Sequence, residues 1–229
     1  MRVLAIDTSC GAVSACVFDS GSAEALARHA EKMERGHGEA LAPLIERLIA
    51  SVEGGFGTLD RIAVTVGPGS FTGIRIGLAT ARAMGLALNI PVIGVSTLVA
   101  FVAPLLLEPQ PGIIASAIDA RHGRVYFQLF ESAGRPLLAP RVAGLREAAR
   151  AIGAGPVRLA GSGAWMLALE TARLGFNVDL VSSAEFPDIV AVAQIGVAAE
   201  PRDSPPRPLY LKAPDALPAA GAGVAQASP

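Results

Sequence analysis

The 229-residue sequence predicts an α/β fold of two similar lobes, and three observations support this prediction. Short apolar stretches typical of buried strands alternate with segments whose apolar residues recur at helical spacing. The segment Ala5–Ala27 aligns without gaps with Ala117–Ala139, and nine of the twenty-three positions are identical. The predicted elements that follow both segments come in the same order. One unit of three strands, a helix, a strand and a helix is therefore expected twice.

The first lobe is assigned to residues 1–107. Its strands are predicted where apolar runs lie between turn residues, at Arg2–Ile6, Ala12–Phe18, Glu24–Glu31, Arg61–Val66 and Pro91–Val95. Its helices are predicted from apolar residues at helical spacing, at Ala40–Val52, Thr72–Leu88 and Leu98–Pro104. Pro43 falls near the start of the first helix, where the missing N–H group costs little.

The second lobe is assigned to residues 108–212 and begins with the proline-rich link Glu108–Gly112. After its three strands, the repeated order predicts further elements at Leu145–Ile152 (helix), Val157–Gly163 (strand), Ala164–Leu174 (helix), Asp179–Ser182 (strand) and Pro187–Ala199 (helix). Residues 213–229 are rich in alanine, proline and glycine and lack periodicity. Such a segment buries too little apolar surface to offset its ordering entropy, so we expect it to be disordered.

Composition argues against several classes of protein. Nineteen basic and twenty acidic residues give a formal net charge of −1, whereas a free-standing nucleic-acid binder normally carries a basic excess. Two cysteines outside any paired motif suit a reducing compartment. Asp7 interrupts the first apolar run before a signal peptide could form, and Pro104 interrupts the longest later one. We therefore expect a cytoplasmic protein without a membrane segment.

The first candidate site is Asp7-Thr8-Ser9, at the end of the first predicted strand. A carboxylate and two hydroxyls on a tight turn could hold a phosphate or a metal-bound water. The alternative is a plain hairpin, in which these side chains bind nearby backbone N–H groups. The ungapped repeat places Asp119 and Arg121 at the corresponding point of the second lobe, where Arg121 would suit an anion.

The second candidate site is the glycine-rich turn from Gly67 to Arg75, between a strand and a helix. Gly67, Gly69 and Ser70 would present unpaired N–H groups and a helix N-terminus to an anion. The turn matches neither a Walker A loop nor a dinucleotide-binding turn. The alternative is that the glycines only permit a sharp bend, with Ser70 or Thr72 as the N-cap.

The helix after this turn carries a small residue at every fourth position. Glycine weakens a soluble helix by about 1 kcal/mol relative to alanine, so the stripe indicates that something packs very close to it. This close neighbour would be either the sheet of the same lobe or a helix of a second protein. The stripe consists of Gly73, Gly77, Ala81 and Gly85.

The histidines do not form a metal or catalytic site in the sequence. His29, His37 and His122 include no pair four residues apart, the spacing that places two imidazoles on one helix face. No serine–histidine–aspartate grouping is legible either. We therefore assign no catalytic residue and no metal ligand, and His37 and Glu39 are assigned to a helix start or an interface.

Six motifs can be read along the chain. They are IDTS at the start, HGEALAPLI around His37, GPGSFTGIRIGLATA from Gly67, IPVIGVSTL from Ile90, AIDARHGRVYF from Ala117 and RPLYLKAPDA from Arg207. Together these motifs resemble the TsaB (YeaZ) family. The resemblance extends from the N-terminus to about residue 216, and its most specific part is the glycine-rich turn followed by GVSTL and the AIDARHGRVYF segment.

This resemblance implies an actin-like ATPase fold, of the ribonuclease H-like class. It also implies a non-catalytic subunit of the bacterial complex that forms N6-threonylcarbamoyladenosine in tRNAs reading codons that begin with adenine. The implied partners are the paralogue TsaD, the ATPase TsaE and, in isolation, a second copy of the chain; tRNA would be met through the complex. The implied interface residues are His37, Glu39, Leu41, Thr72, Gly73, Gly77, Ala81 and Gly85.

The resemblance also implies no cofactor bound by this chain alone, although ATP or ADP could lie at the boundary with TsaD. TsaD relatives carry two histidines four residues apart that ligate the metal. Thr97 and Phe101 stand at the corresponding positions here, and neither is a suitable ligand.

Two other functions stay open from the sequence. One is an enzyme, either an actin-like small-molecule kinase or a metallopeptidase-like protein; a kinase would need Asp7 or Asp119 as its base. The other is direct tRNA contact through Arg28, Lys32 and Arg35, although the overall charge offers it little support.

Overall fold

A computed structural model describes residues 1–108 and 110–212 of the chain. The predicted disorder of residues 213–229 lies outside the described residues, as does Pro109 of the predicted link. The first half contains five strands and three α-helices in the described part: β1 (Arg2–Asp7), β2 (Ala12–Asp19), β3 (Glu24–Lys32), α1 (His37–Ala50), β4 (Arg61–Gly67), α2 (Phe71–Leu88), β5 (Val92–Ser96) and α3 (Thr97–Leu106).

The second half repeats this order of elements. Its strands and helices within the described residues are β6 (Ile113–Asp119), β7 (Arg124–Glu131), β8 (Pro136–Gly144), α4 (Leu145–Ile152), β9 (Val157–Ala160), α5 (Ala164–Arg173), β10 (Asp179–Ser182) and α6 (Ile189–Ala198). No helix in the described parts of the chain is both long and apolar enough to cross a bilayer.

The strands form two five-stranded mixed sheets of identical topology. One sheet has the order β3-β2-β1-β4-β5 and the other β8-β7-β6-β9-β10. In each sheet the first three strands are antiparallel neighbours, and the last two are added in parallel through helical crossovers. The predicted α/β fold with two similar lobes is confirmed, because both halves have the same order of elements and the same strand order.

Several predicted helix boundaries differ from the structure, and in α1 and α3 the difference involves a proline inside the helix. Helix α1 begins at His37 rather than Ala40, so Pro43 lies inside it, on its exposed side. Helix α3 continues past Pro104 to Leu106. The apolar side chains of Leu105 and Leu106 pack against the second lobe, and this burial outweighs the hydrogen bond that Pro104 removes.

The last helix of each half packs against the sheet of the other half. Helix α6 places Val192 and Ala193 against Ala5 in the first sheet. Helix α3 places Val102 against Ile114 in the second sheet. The sequence boundary near residue 107 therefore separates the two repeats, whereas the packing exchanges their terminal helices.

An arginine on each sheet binds the carboxyl end of the helix that comes from the other half. The Nη1 group of Arg61 on β4 donates hydrogen bonds to the carbonyl oxygens of Gly196 and Ala199, each at 2.9 Å, at the end of α6. The Nη1 group of Arg158 on β9 donates to the carbonyl oxygen of Glu108, 2.9 Å away, just after α3. Both cations lie where a helix dipole is negative, which stabilises the crossed packing.

Candidate functional site

A cleft of about 890 Å³ separates the two lobes. The loop after β1, the glycine-rich turn before α2 and the end of β3 form one wall. The loop after β6 and the segment before α6 form the opposite wall, and residues 209–212 close one side. The cleft contains Ser9, Gly69, Ser70, Asp119 and Arg121 of the predicted anion-binding set.

Asp7 lies at the end of β1 but is completely buried. Its Oδ1 atom accepts hydrogen bonds from the Ser9 N–H at 3.0 Å, the Ser9 hydroxyl at 2.6 Å and the Thr65 hydroxyl at 2.6 Å. Its Oδ2 atom has no hydrogen-bond partner among the described residues. Burial raises the pKa of the Asp7 carboxyl above its ordinary value, although these hydrogen bonds oppose the shift.

The glycine-rich turn packs directly on the Asp7-Thr8-Ser9 loop. A Cβ atom on Gly69 would lie 2.1 Å from the Ser9 carbonyl oxygen, and one on Gly73 would lie 1.9 Å from the Thr8 carbonyl oxygen. The Thr8 hydroxyl donates to the Gly73 carbonyl at 2.7 Å. Only glycine permits these approaches, so the motif joins two loops of the same lobe.

Some of the polar groups that the glycine-rich turn was predicted to offer to an anion already form hydrogen bonds within the chain. The Ser70 N–H donates to the Ser9 carbonyl oxygen at 2.7 Å. The Ser70 hydroxyl accepts from the Gly73 N–H at 3.3 Å, so Ser70 is the N-cap of α2, one of the two residues considered for this role. Anion binding by this turn stays a prediction, and it would have to compete with these internal hydrogen bonds.

Asp119 and Arg121 lie on the opposite wall, and both are exposed. The Asp119 Oδ1 atom accepts a hydrogen bond from the Arg121 N–H at 2.7 Å. Arg121 and His122 both have left-handed backbone conformations, with φ of 62° and 53°. The loop therefore presents the Arg121 side chain to the cleft from a sharply bent backbone.

The ungapped pairing of Asp7 with Asp119 is wrong by one residue in the structure. Asp7 lies opposite Ser14 in the first hairpin, whereas Ile118 lies opposite Tyr126 at the equivalent point of the second. A shift of one residue moves a side chain to the other face of a sheet. This shift explains why Asp7 is buried and Asp119 is exposed.

Thr97 and Phe101, which stand where TsaD relatives would carry metal-binding histidines, lie in the interior of this protein. The Thr97 hydroxyl donates to the Ser9 hydroxyl at 3.1 Å. Phe101 packs with Leu98 and Ile118 between the lobes. Residues 1–108 and 110–212 contain no group of three histidine, cysteine, aspartate or glutamate side chains that could hold a metal ion. A buried hydroxyl and a phenyl ring do not fit the metal that the histidines of TsaD relatives would bind.

The small-residue stripe of α2 faces its own sheet, so its interpretation as a partner surface is wrong. A Cβ atom on Gly77 would lie 2.5 Å from the Thr8 hydroxyl oxygen, and one on Gly85 would lie 2.3 Å from Val92 Cγ2. Ala81 is fully buried, and Leu41 of α1 lies in the same core. The close neighbour of the stripe is therefore the first lobe itself.

The remaining predicted interface residues lie at the helix starts. Glu39 and Thr72 are exposed. His37 is mostly buried, and its Nε2 atom lies 3.3 Å from the Cys10 carbonyl oxygen, which ties the start of α1 to the cleft loop. The outward side of α2 presents instead Arg75, Ala79, Arg82, Ala83 and Leu86, and the Leu86 side chain is 85% exposed.

The segment from Ser204 to Lys212 has a structural role that its sequence did not indicate. It returns to the first lobe and lies against the end of β4 and the middle of the edge strand β5. The Leu209 N–H donates to the Val66 carbonyl oxygen at 2.7 Å, and the Gly94 N–H donates to the Ser204 carbonyl oxygen at 2.9 Å. Its only sequence signal was the RPLYLK motif, which indicates no periodic element.

Comparison with known proteins gives consistent similarities. The family model described as "TsaD: tRNA N6-adenosine threonylcarbamoyltransferase" matches residues 28–159, more than half of the chain. The chain is 34% identical over 131 residues to the tRNA threonylcarbamoyladenosine biosynthesis protein TsaB of Escherichia coli K12. That match covers 57% of this chain and 55% of the relative, so it spans about half the length of the curated protein.

Two further similarities extend over almost the whole chain. An uncharacterized protein of Mycobacterium tuberculosis is 35% identical over 218 residues, which is 95% of both chains. The solved structure of YeaZ from Pseudomonas aeruginosa superimposes with a TM-score of 0.74 at 26% identity. That superposition covers 92% of this chain and 99% of the other.

Proposed function

Because the chain belongs to the TsaB (YeaZ) family, we propose that it is a non-catalytic subunit in the formation of N6-threonylcarbamoyladenosine in tRNA. Its role would be to bind and support a TsaD paralogue, which carries out the transfer. The observation that supports this role most directly is the way in which the side chains of Thr97 and Phe101 are packed in the interior. A hydroxyl bound to Ser9 and a packed phenyl ring stand where TsaD relatives need two imidazoles.

An enzymatic role is less compatible with the geometry. A kinase of this fold would need a carboxylate that reaches its substrate in the cleft. Asp7 is fully buried and is held through Oδ1 by Ser9 and Thr65, so it would reach a substrate only after the loop rearranged. Asp119 is exposed, but its Oδ1 atom is used by the Arg121 N–H.

The outer face of α2, beside α1, is the surface that we assign to the TsaD contact. Ala79 and Ala83 are small and exposed, and Leu86 is a large apolar side chain that is 85% exposed. Small residues let a second helix approach closely, and an exposed leucine beside them offers an apolar anchor. In isolation the same face would pair with a second copy of the chain, in competition with TsaD.

The rest of the assembly follows from the family. TsaE would join the heterodimer, tRNA would be bound by the complex rather than by this chain alone, and the protein would act in the cytoplasm. A nucleotide, ATP or ADP, would lie at the boundary between this chain and TsaD. Arg121 is one exposed cation of the cleft wall that such an anion could approach.

Reconstitution of tRNA modification tests the proposal. The reaction would contain the TsaD and TsaE of the same organism and the enzyme that makes the threonylcarbamoyl adenylate, with and without this chain. We expect modified adenosine only when the chain is present, and none when the chain replaces TsaD. Modification by this chain without TsaD would contradict a non-catalytic role.

A pair of leucine variants tests the assigned surface. Leu86→Asp places a charge at the centre of the proposed contact and should prevent co-elution with TsaD. Leu107→Asp is the matched control, because Leu107 is 71% exposed and follows α3 instead. Equal loss of TsaD binding by both variants would contradict the assignment of α2.

A further inference from the structure

The C-terminal segment from Ser204 to Lys212 is attached to the first lobe along both of its sides. On one side, backbone hydrogen bonds join it to Val66 of β4 and Gly94 of β5. On the other side, α2 contacts it through two arginines. The Arg75 Nε atom donates to the Tyr210 hydroxyl at 3.3 Å, and the Arg82 Nη2 atom donates to the Pro206 carbonyl oxygen.

Two glycines of the first lobe provide the space for this segment. A Cβ atom on Gly94 would lie 2.6 Å from the Pro205 carbonyl oxygen. A Cβ atom on Gly67 would lie 3.0 Å from the Leu209 carbonyl oxygen, and Gly67 has a φ of 100°. The first lobe is therefore shaped to receive the segment at two places, the end of β4 and the middle of the edge strand β5.

Aromatic contacts extend the arginine attachment to the start of α2. The Phe71 and Tyr210 rings lie 4.6 Å apart between centroids, and the Arg75 guanidinium carbon lies 3.8 Å from the centroid of Phe71. A cation over an aromatic face is attractive, by about 0.5–1 kcal/mol at an exposed site. Arg75, Phe71 and Tyr210 thus form one cluster at the mouth of the glycine-rich turn.

The segment lies at the surface, and Leu209 is the side chain that packs against the core of the first lobe. No residue from 204 to 212 is fully buried, and Pro205, Arg207, Pro208 and Tyr210 are exposed. Segments with few buried contacts and exposed hydrogen bonds open at low free-energy cost compared with the core. The same segment forms part of the cleft through Leu209, Tyr210, Leu211 and Lys212.

We propose that residues 204–212 form a releasable strap, latched by Arg75 and Arg82 of α2, whose opening removes one side of the interlobe cleft. The latch lies on the exposed side of α2. A carboxylate is a stronger acceptor for a guanidinium group than a phenol or a neutral carbonyl oxygen. An acidic protein surface that docks on α2 would therefore compete with Tyr210 and Pro206 for the two arginines and open the cleft.

Hydrogen–deuterium exchange on the isolated full-length chain tests the latch. In Arg75→Ala/Arg82→Ala, the Leu209 and Gly94 amides should exchange about tenfold faster than in the wild type, since the strap loses its hydrogen bonds to the two arginines. Arg146→Ala/Arg150→Ala is the matched control, because it removes two exposed arginines from α4. Tyr210→Phe keeps the aromatic contact and should give an intermediate rate.

The proposal that strap opening exposes the cleft is tested separately, by the reactivity of the Cys10 thiol. Cys10 lines the cleft and is partly exposed, whereas Cys16 is buried, so a Cys16→Ala background leaves one reporter. Ellman's reagent should modify Cys10 several-fold faster when Arg75 and Arg82 are replaced. Unchanged exchange at Leu209 and Gly94, or an unchanged Cys10 rate, would overturn the proposal.

The proposed trigger, docking of a partner on α2, rests on the proposed function and is tested by a separate experiment with TsaD. Adding TsaD to the wild-type chain should speed exchange at Leu209 and Gly94, and slower exchange would overturn release by a docked partner. A failure of TsaD to bind would contradict the proposed function instead, while the results on the isolated chain would still decide whether the strap is latched.

Discussion

At the scale of single residues, Asp7 has the most unusual environment among the residues that the sequence indicated. Its carboxyl group is fully buried, one oxygen accepts three hydrogen bonds, and the other has no partner in the described chain. The pKa of this group is raised in the folded state, chiefly by burial. The folded protein therefore binds the Asp7 proton more tightly than the unfolded chain does, and stability falls as pH rises from about 4 through the raised pKa.

Asp7→Asn should stabilise the protein at neutral pH. The amide carries no charge to bury, and its NH2 group can donate towards Ser14, whose hydroxyl has no partner in the described chain and which lies opposite on β2. We expect the melting midpoint at pH 7 to rise by about 2–4 °C, as for a gain near 1 kcal/mol in a chain of this size. The difference should shrink as pH falls below about 4, the ordinary pKa of an aspartate, where the carboxyl becomes protonated in both states, and thermal melts across this range would measure it. A lower midpoint at pH 7 would mean that the ionised carboxylate is stabilised by a group absent from the described contacts.

A substitution at Gly77 tests whether the small-residue stripe of α2 packs inside its own lobe or contacts a partner. Gly77→Ala adds a Cβ atom beside the Thr8 hydroxyl, where the available distance is 2.5 Å. We expect a loss of about 1–3 kcal/mol in the free energy of unfolding, as for an overpacked interior. Ala83→Leu on the outward side of the same helix should change that free energy by less than about 0.5 kcal/mol. Urea denaturation of both variants measures the contrast, and equal stability would contradict the inward placement of the stripe.

At the scale of elements, α2 shows how far the sequence could be interpreted. Its helical spacing was predictable from the residues alone, whereas its start was predicted at Thr72, one residue late, with Ser70 and Thr72 both open as the N-cap. The direction of the glycine stripe was not predictable, because small residues at every fourth position suit a sheet and a partner helix equally well. The burial of Gly73, Gly77 and Gly85 decides the question, and it depends on where β1 and β5 lie.

The cap of α2 provides a test at the same scale. Ser70→Ala removes the only side-chain acceptor for the Gly73 N–H in the described structure and should lower the free energy of unfolding by about 1 kcal/mol. Thr72→Ala is the matched control, because Thr72 is exposed and does not cap the helix. A cost for Thr72→Ala as large as that for Ser70→Ala would contradict the cap assignment.

Two further features of the candidate site depend on pairing that local sequence does not encode. The equivalence of Asp7 with Ile118 rather than Asp119 comes from the hairpin registers, which an ungapped comparison cannot detect. The strap consists of residues without helix or strand periodicity, and its contacts join positions more than one hundred residues apart. The repeated order of strands and helices, by contrast, follows from local patterning and was predictable.

At the scale of the whole molecule, the two repeats form one structure through their exchanged terminal helices. Residues 1–107 alone would expose the inner face of the first sheet, including Val3, Ala5 and Ile93, which α6 covers in the full chain. We expect this fragment to lack a cooperative thermal transition and to aggregate, because it loses a large buried apolar surface. Circular dichroism melts of the fragment and the full chain measure the difference. A cooperative, soluble fragment would show that the first lobe is stable without α6.

The exchange of helices also affects the protein during its synthesis. The first sheet is complete once Ser96 has been made, but its cover on one face is α6, which ends at Ala198. A ribosome adds about 5–20 residues per second, so this apolar face waits several seconds before its own chain can shield it. The nascent protein therefore has this face uncovered by its own chain while about half of its length is being made.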